Sequence, residues 1–144
     1  FNFLKVHDFD ILIAEDGEAA LEVVLWKKPH LILLDVMMPR IDGFEVCQQL
    51  KKNPKTQDIP IIFTTALSTT TDKITGFQLG AVDYITKPFQ VEEVLSRIKT
   101  HLALSFLQQQ SQAKNVELEI QNVQLKDKIN ILATPFDIMQ KPEM

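Results

Sequence analysis

Hydrophobic and polar positions alternate along this chain in two periods. Residues 10–15 (Asp10 to Glu15) are a short apolar run bounded by acids, and residues 30–34 (His30 to Leu34) and 59–64 (Ile59 to Thr64) are further short runs. Continuous apolar runs of this length suit parallel strands covered on both faces. Between them the period lengthens. Gly17 to Lys27 carries Ala20, Leu21, Val24 and Leu25 at helical spacing, and Pro29 stops it. Phe44 to Lys52 places Val46, Cys47 and Leu50 on one helical face, with Asp42 as N-cap and Asn53-Pro54 as its end. Asp72 to Leu79 predicts a short helix closed by Gly80. Residues 81–85 predict a last short strand, Val91 onward a helix, and Phe1 to Val6 the end of an earlier one.

Strands alternating with helices over short connections predict an α/β domain with a parallel sheet and right-handed crossovers. Ligand sites in such sheets lie beyond the carboxyl ends of the strands. Three polar groups fall there: Asp35, the Thr64-Thr65 pair, and Lys87. Taken singly, Asp35 is a nucleophile, a metal ligand or a helix cap, Thr65 a turn residue and Lys87 a surface charge. Taken together they suit a phosphoryl site. The carboxylate attacks phosphorus in line while a hydroxyl and an ammonium stabilise the equatorial oxygens. A hard divalent cation, Mg²⁺, is expected alongside them on oxygen ligands.

Past about Thr100 the pattern changes again. Gln108 to Asn115 is polar, and a seam of Leu104, Ser111, Leu118, Leu125 and Leu132 runs in steps of seven, offset by Asn115, Asn122 and Ile129. Leu at d with Asn at a is the pattern of a dimeric coiled coil. The expectation is a long helix over residues 104–132 that pairs in parallel with a second copy; a single amphipathic helix folded back on its own domain is the alternative. The implied division is a domain over 1–105, a helical linker over 106–134 and a tail over 135–144.

Composition narrows the classes. At 144 residues the chain holds one core and an appendage, and net charge −4 disfavours a nucleic-acid surface in this segment. The lone Cys47 builds neither a disulfide framework nor a multi-cysteine metal site; it reads as core packing in a reducing compartment. No apolar run approaches about 18 residues, so no transmembrane helix is expected, and a cytoplasmic location is.

Three segments carry a family resemblance. Residues 32–45, with Asp35, Val36, Met37, Met38 and Pro39, resemble the phosphorylation loop of response-regulator receiver domains. Residues 60–66 resemble the family's fourth strand with its switch hydroxyl, and residues 83–89 its fifth strand and Lys-Pro turn. The resemblance spans residues 10 to about 105 and implies a flavodoxin-like doubly wound sheet in the order 2-1-3-4-5. It implies that Asp35 is the phosphoacceptor, that Thr65 (with Thr64 the alternate) moves onto the phosphoryl group, and that Lys87 pairs with it. The Lys87-Pro88 bond becomes a candidate cis peptide. Tyr84 matches the aromatic whose rotamer reports phosphorylation. Met37 matches the position whose backbone carbonyl joins Asp35 on Mg²⁺, and Asp42 with Gly43 the turn that closes the loop. A sensor histidine kinase or phosphotransfer protein is the implied donor, and a multidomain regulator or hybrid kinase the implied context.

The family also carries an acidic pair at the end of its first strand, which completes the Mg²⁺ site. Nothing in this sequence precedes Phe1, so the first strand and most of the first helix are expected to be missing and the metal site impaired; Glu15 and Asp16 are not substitutes. The missing strand would be central, leaving a gap between residues 10–15 and 30–34. Two other functions compete with this one. A haloacid-dehalogenase-type phosphatase needs a second Asp two residues after the nucleophile, where this chain has Met37. A degenerate receiver acting as a phosphorylation-independent dimerisation module fits the missing acids but not the intact Asp35, Thr65 and Lys87.

Overall fold

A computed structural model describes residues 9–66, 70–112 and 129–134. They form β1 (Phe9–Ile13), α1 (Gly17–Lys27), β2 (Leu31–Asp35), α2 (Gly43–Lys52), β3 (Ile61–Thr65), α3 (Thr70–Gln78), β4 (Asp83–Thr86), α4 (Val91–Gln112) and β5 (Ile129–Ala133). The helix starts follow the local chemistry. Asp16 accepts a bond from the Ala19 amide and Asp42 one from the Glu45 amide, each at 2.9 Å, capping α1 and α2. Lys28 ends α1 in the left-handed region at φ 48°, and Gly80 follows α3 at φ +109°.

All strand pairs are parallel, in the order β1-β5-β2-β3-β4. β2 and β3, the two continuous apolar runs, are buried along their whole length. One face of the sheet packs Ala20, Val24, Val46, Cys47 and Leu50 of α1 and α2 against Ile32, Leu34, Ile61, Phe63 and Leu132. The other packs Val94, Leu95, Ile98, Leu102 and Phe106 of α4 against Leu31, Leu33, Ile62, Ile85 and Ile131. The sheet is thus covered on both sides, the doubly wound arrangement predicted above. Of the apolar residues at helical spacing on α1, Ala20 and Val24 are fully buried and Leu25 is 47% exposed.

The predicted central gap is closed from an unexpected direction. β5, from the C-terminal end of the chain, lies between β1 and β2, paired with β1 from Phe9↔Ile129 to Ile13↔Ala133 and with β2 from Leu31↔Ile131 to Leu33↔Ala133. Residues 129–132 are therefore strand and not the last turns of a coiled coil. The seam of the expected coiled coil through residues 113–128 lies outside the described residues. The reversal has a physical reason. The run Ile129-Asn-Ile-Leu-Ala is short, apolar and rich in β-branched residues, and such a run suits either element until its surroundings decide. Here Leu132 faces the α1–α2 side and Ile131 the α4 side, all three of Ile131, Leu132 and Ala133 being fully buried. Burying that Ile and Leu contributes about 3–6 kcal/mol. A clamp at the strand's start adds to this: the His30 amide donates to the Asn130 carbonyl at 2.7 Å, and the Asn130 amide donates to His30 Nδ1 at 2.9 Å.

Candidate functional site

The carboxyl ends of β2, β3, β4 and β5 meet at one edge. Asp35 is level with Thr64 in the β2–β3 register, and Thr65 with Thr86 across β3–β4. Lys87 follows β4 directly, its amide donating to the Thr65 carbonyl at 2.8 Å. Lys87 Nζ reaches Asp35 Oδ2 at 2.7 Å, with the two side chains 4% and 1% exposed. The other carboxylate oxygen, Oδ1, accepts the Met37 amide at 3.0 Å. A buried carboxylate is held here by an ammonium and an amide, which offset its desolvation. Lys87 Nζ also stands 5.8 Å over the Phe89 ring, and its peptide bond to Pro88 is cis, as the family resemblance implies.

The loop after Asp35 folds back tightly. The Gly43 amide donates to the Val36 carbonyl at 2.8 Å, and a Cβ at Gly43 would run into the Asp35 carbonyl oxygen. Glycine is thus required by backbone approach, and Asp42 beside it serves as the α2 cap. Thr65 and Thr64 are both buried, and the Thr64 hydroxyl has no hydrogen-bond partner among the described residues. Tyr84 points inward at 7% exposure, its ring 6.1 Å from that of Phe63. Burial raises the Tyr84 phenol above its ordinary value, the Asp72 charge adds to this, and the neighbouring Thr65 hydroxyl opposes it. Among the described residues no hydrogen bond of good geometry closes on the Tyr84 oxygen. Asp35, Thr65, Lys87 and Tyr84 therefore sit in and around one cluster, as expected. Met37 is at the loop, 41% exposed.

One participant escaped the sequence reading. Thr134, directly after β5, presents Oγ1 to the Asp35 amide at 2.6 Å, and its own amide donates to the Leu33 carbonyl at 3.0 Å. The sequence pattern places it at the end of a helical linker, and the structure places it at the strand edge. The available signal is the apolar run from Ile129 to Ala133 with a hydroxyl residue directly after it, much as β3 ends in Thr64 and Thr65.

Thr134 bears on Mg²⁺. No group of three or more His, Cys, Asp or Glu among the described residues could hold a metal ion. Asp35 is the carboxylate in the cluster, Lys87 is already on it, and the adjoining strand end contributes a neutral hydroxyl. Asp16 is spent on capping α1. Mg²⁺ prefers near-octahedral oxygen coordination, and these residues do not fit that need.

A second polar cluster ties β4 to α4. Asp83 takes Arg97 Nη1 at 2.6 Å and His101 Nε2 at 2.9 Å on its two oxygens. Burial alone would raise the Asp83 carboxyl, but the bonds from Arg97, His101 and the Tyr84 amide hold it below its ordinary value.

A family model described as "Response regulator receiver domain" matches residues 2–99. The chain is 46% identical over 99 residues to RpaA of Synechocystis, named a DNA-binding dual master transcriptional regulator, covering 69% of this chain and 41% of that one. It is 48% identical over 99 residues to ycf27 of Porphyridium aerugineum, named a probable transcriptional regulator, covering 69% and 40%. The chain thus spans about two fifths of the length of these curated relatives. Among solved structures it is similar to the beryllofluoride-activated N-terminal receiver domain of Klebsiella pneumoniae RstA, with TM-score 0.65 and 35% identity, covering 70% of this chain and 84% of that one. The receiver domain of a Syntrophus aciditrophicus signal transduction histidine kinase matches with TM-score 0.65 and 32% identity, covering 71% and 77%. Residues 129–134 lie beyond the family match.

Proposed function

Because the chain belongs to the response regulator receiver domain family, a family of signalling domains, we propose that it is a phosphoacceptor in which Asp35 takes a phosphoryl group from the phosphohistidine of a sensor kinase or phosphotransfer protein. The observation that carries this reading is the buried 2.7 Å contact of Lys87 Nζ with Asp35 Oδ2 at the carboxyl edge of a parallel sheet. A carboxylate oxygen of Asp35 attacks phosphorus in line, the P–N bond to the donor imidazole breaks with its electron pair leaving on nitrogen, and an acyl phosphate forms. Lys87 exchanges the carboxylate for the equatorial phosphoryl oxygens, so its charge is already in place when negative charge arrives. Thr65 supplies a hydroxyl from the next strand, and Tyr84, packed inward beside it, is the group whose displacement would carry the change toward α4. Mg²⁺, if recruited, would lean on Asp35 and the Met37 carbonyl. Output through a DNA-binding region is suggested by the name of one relative, RpaA, not by any residue of this segment.

The neutral Thr134 beside Asp35 favours a second reading, a receiver that signals by its fold without phosphorylation. Incubation with acetyl phosphate or a phosphorylated kinase domain, followed by intact-mass analysis, separates the two. The expected result is a slow gain of one phosphoryl group that Asp35→Asn abolishes. Absence of labelling with every donor, with or without Mg²⁺, would favour the second.

A further inference from the structure

We infer that Thr134 is a positioning residue of the phosphoacceptor site, and that seating of the C-terminal strand which delivers it is coupled to the chemical state of Asp35. The inference rests on the phosphoacceptor reading above. The β1–α1–β2 unit sets its two strands on either side of a slot one strand wide, and β5 is what fills it. β5 is fastened at its start by the exchanged His30–Asn130 bonds and at its end by the Thr134 amide on the Leu33 carbonyl. The Thr134 hydroxyl is then delivered 2.6 Å from the Asp35 amide, both residues being 1% exposed. That amide belongs to the peptide that aims the carboxylate at Lys87. Removing the Thr134 hydroxyl takes a 2.6 Å buried acceptor away from that amide and loosens the peptide. Because the hydroxyl is neutral, it steadies Asp35 without adding charge to the Asp35–Lys87 pair. Phosphorylation redistributes the bonds on the two Asp35 carboxylate oxygens, one held by Lys87 Nζ and the other by the Met37 amide. Whatever factor strand seating contributes to the stability of one Asp35 state, that state returns to strand seating.

The test uses the full 144-residue chain and four proteins: wild type, Thr134→Val, Thr134→Ser and Ile131→Val. The last weakens the packing of β5 but keeps the hydroxyl. Amide exchange at Asp35 and over residues 129–134 is followed with and without beryllofluoride as phosphoryl mimic, and Asp35 labelling by acetyl phosphate is timed in parallel. Thr134→Val should speed exchange at the Asp35 amide roughly tenfold or more and slow labelling. Thr134→Ser should restore both, and Ile131→Val should slow labelling far less than Thr134→Val. Beryllofluoride should change protection over residues 129–134 in the wild type. Exchange of residues 129–134 at the rate of an unstructured peptide would overturn the inference. So would an unchanged Asp35 amide in Thr134→Val, equal slowing by Ile131→Val, or β5 protection indifferent to beryllofluoride in a protein that demonstrably binds it. If the wild type neither labels nor binds beryllofluoride while Thr134→Val still releases the Asp35 amide and Thr134→Ser does not, the positioning of Asp35 by Thr134 stands and the phosphoacceptor reading falls.

Discussion

Leu104 and Leu132 occupy equivalent positions of one heptad seam, so truncating each to alanine separates the strand from the coiled coil. If the seam were a helical interface, both truncations would weaken it comparably and the loss would depend on protein concentration. In the structure the two leucines have nothing in common. Leu132 is fully buried between α1, α2 and the sheet, whereas Leu104 is 49% exposed on α4. Leu132→Ala removes three carbons from a site whose neighbours Ile32 and Leu34 are held in a central strand and cannot easily collapse inward. The loss of transfer free energy together with the residual cavity amounts to about 3–5 kcal/mol. Half-exposed Leu104 should cost under about 1 kcal/mol. Unfolding in urea followed by far-ultraviolet circular dichroism is the appropriate assay. Trp26, at 80% exposure, is too solvated to report on the core. A Leu132→Ala protein within about 0.5 kcal/mol of wild type, or Leu104→Ala equally destabilised, would refute the placement of β5.

Other consequences can be checked independently. Lys87→Met strands a buried carboxylate and should cost about 3–5 kcal/mol in urea unfolding, with Asp35→Asn added to it recovering part of the loss. Thr134→Asp puts a second carboxylate at the site's edge, so labelling of Asp35 by acetyl phosphate should become faster and Mg²⁺-dependent; unchanged labelling at any Mg²⁺ concentration would contradict the donor-set argument. Asp83 has its folded pKa depressed by Arg97 and His101 against the cost of burial, so its contribution is present above the unfolded carboxyl value near 4 and lost as pH falls through the lower folded one. Arg97→Gln should therefore flatten the loss of stability in acid, and a carbon-detected titration of Asp83 should move upward. Burial pushes the Cys47 thiol up to about 11; at pH 8 it should react with iodoacetamide about two orders of magnitude more slowly than in urea, where a free thiol titrates near 8.5.

Much of this protein is legible without coordinates, and the reason is locality. Asp16, Asp42 and Gly80 set helix ends through bonds within four residues. The continuous apolar runs of β2 and β3 announce strands covered on both faces, and parallel crossovers then place Asp35, Thr65 and Lys87 at a common edge. Where sequence reading stopped short, the deciding partners were distant. The apolar spacing of α1 predicts a helix, but which part of its apolar arc meets the sheet depends on how the helix is set down: Ala20 and Val24 are buried and Leu25 is not. The run from Ile129 to Thr134 carries too few residues to declare its period, and its heptad register was satisfied by chance. Its identity as the central strand comes from β1 and β2, more than ninety residues earlier in the chain, which β5 joins through Leu132 on one face of the sheet and Ile131 on the other, and from the Asp35 amide that Thr134 meets across 99 positions. Short segments fold as their surroundings require, because the burial and ladder bonds offered by an open slot in a sheet outweigh the small propensity differences that local sequence can express.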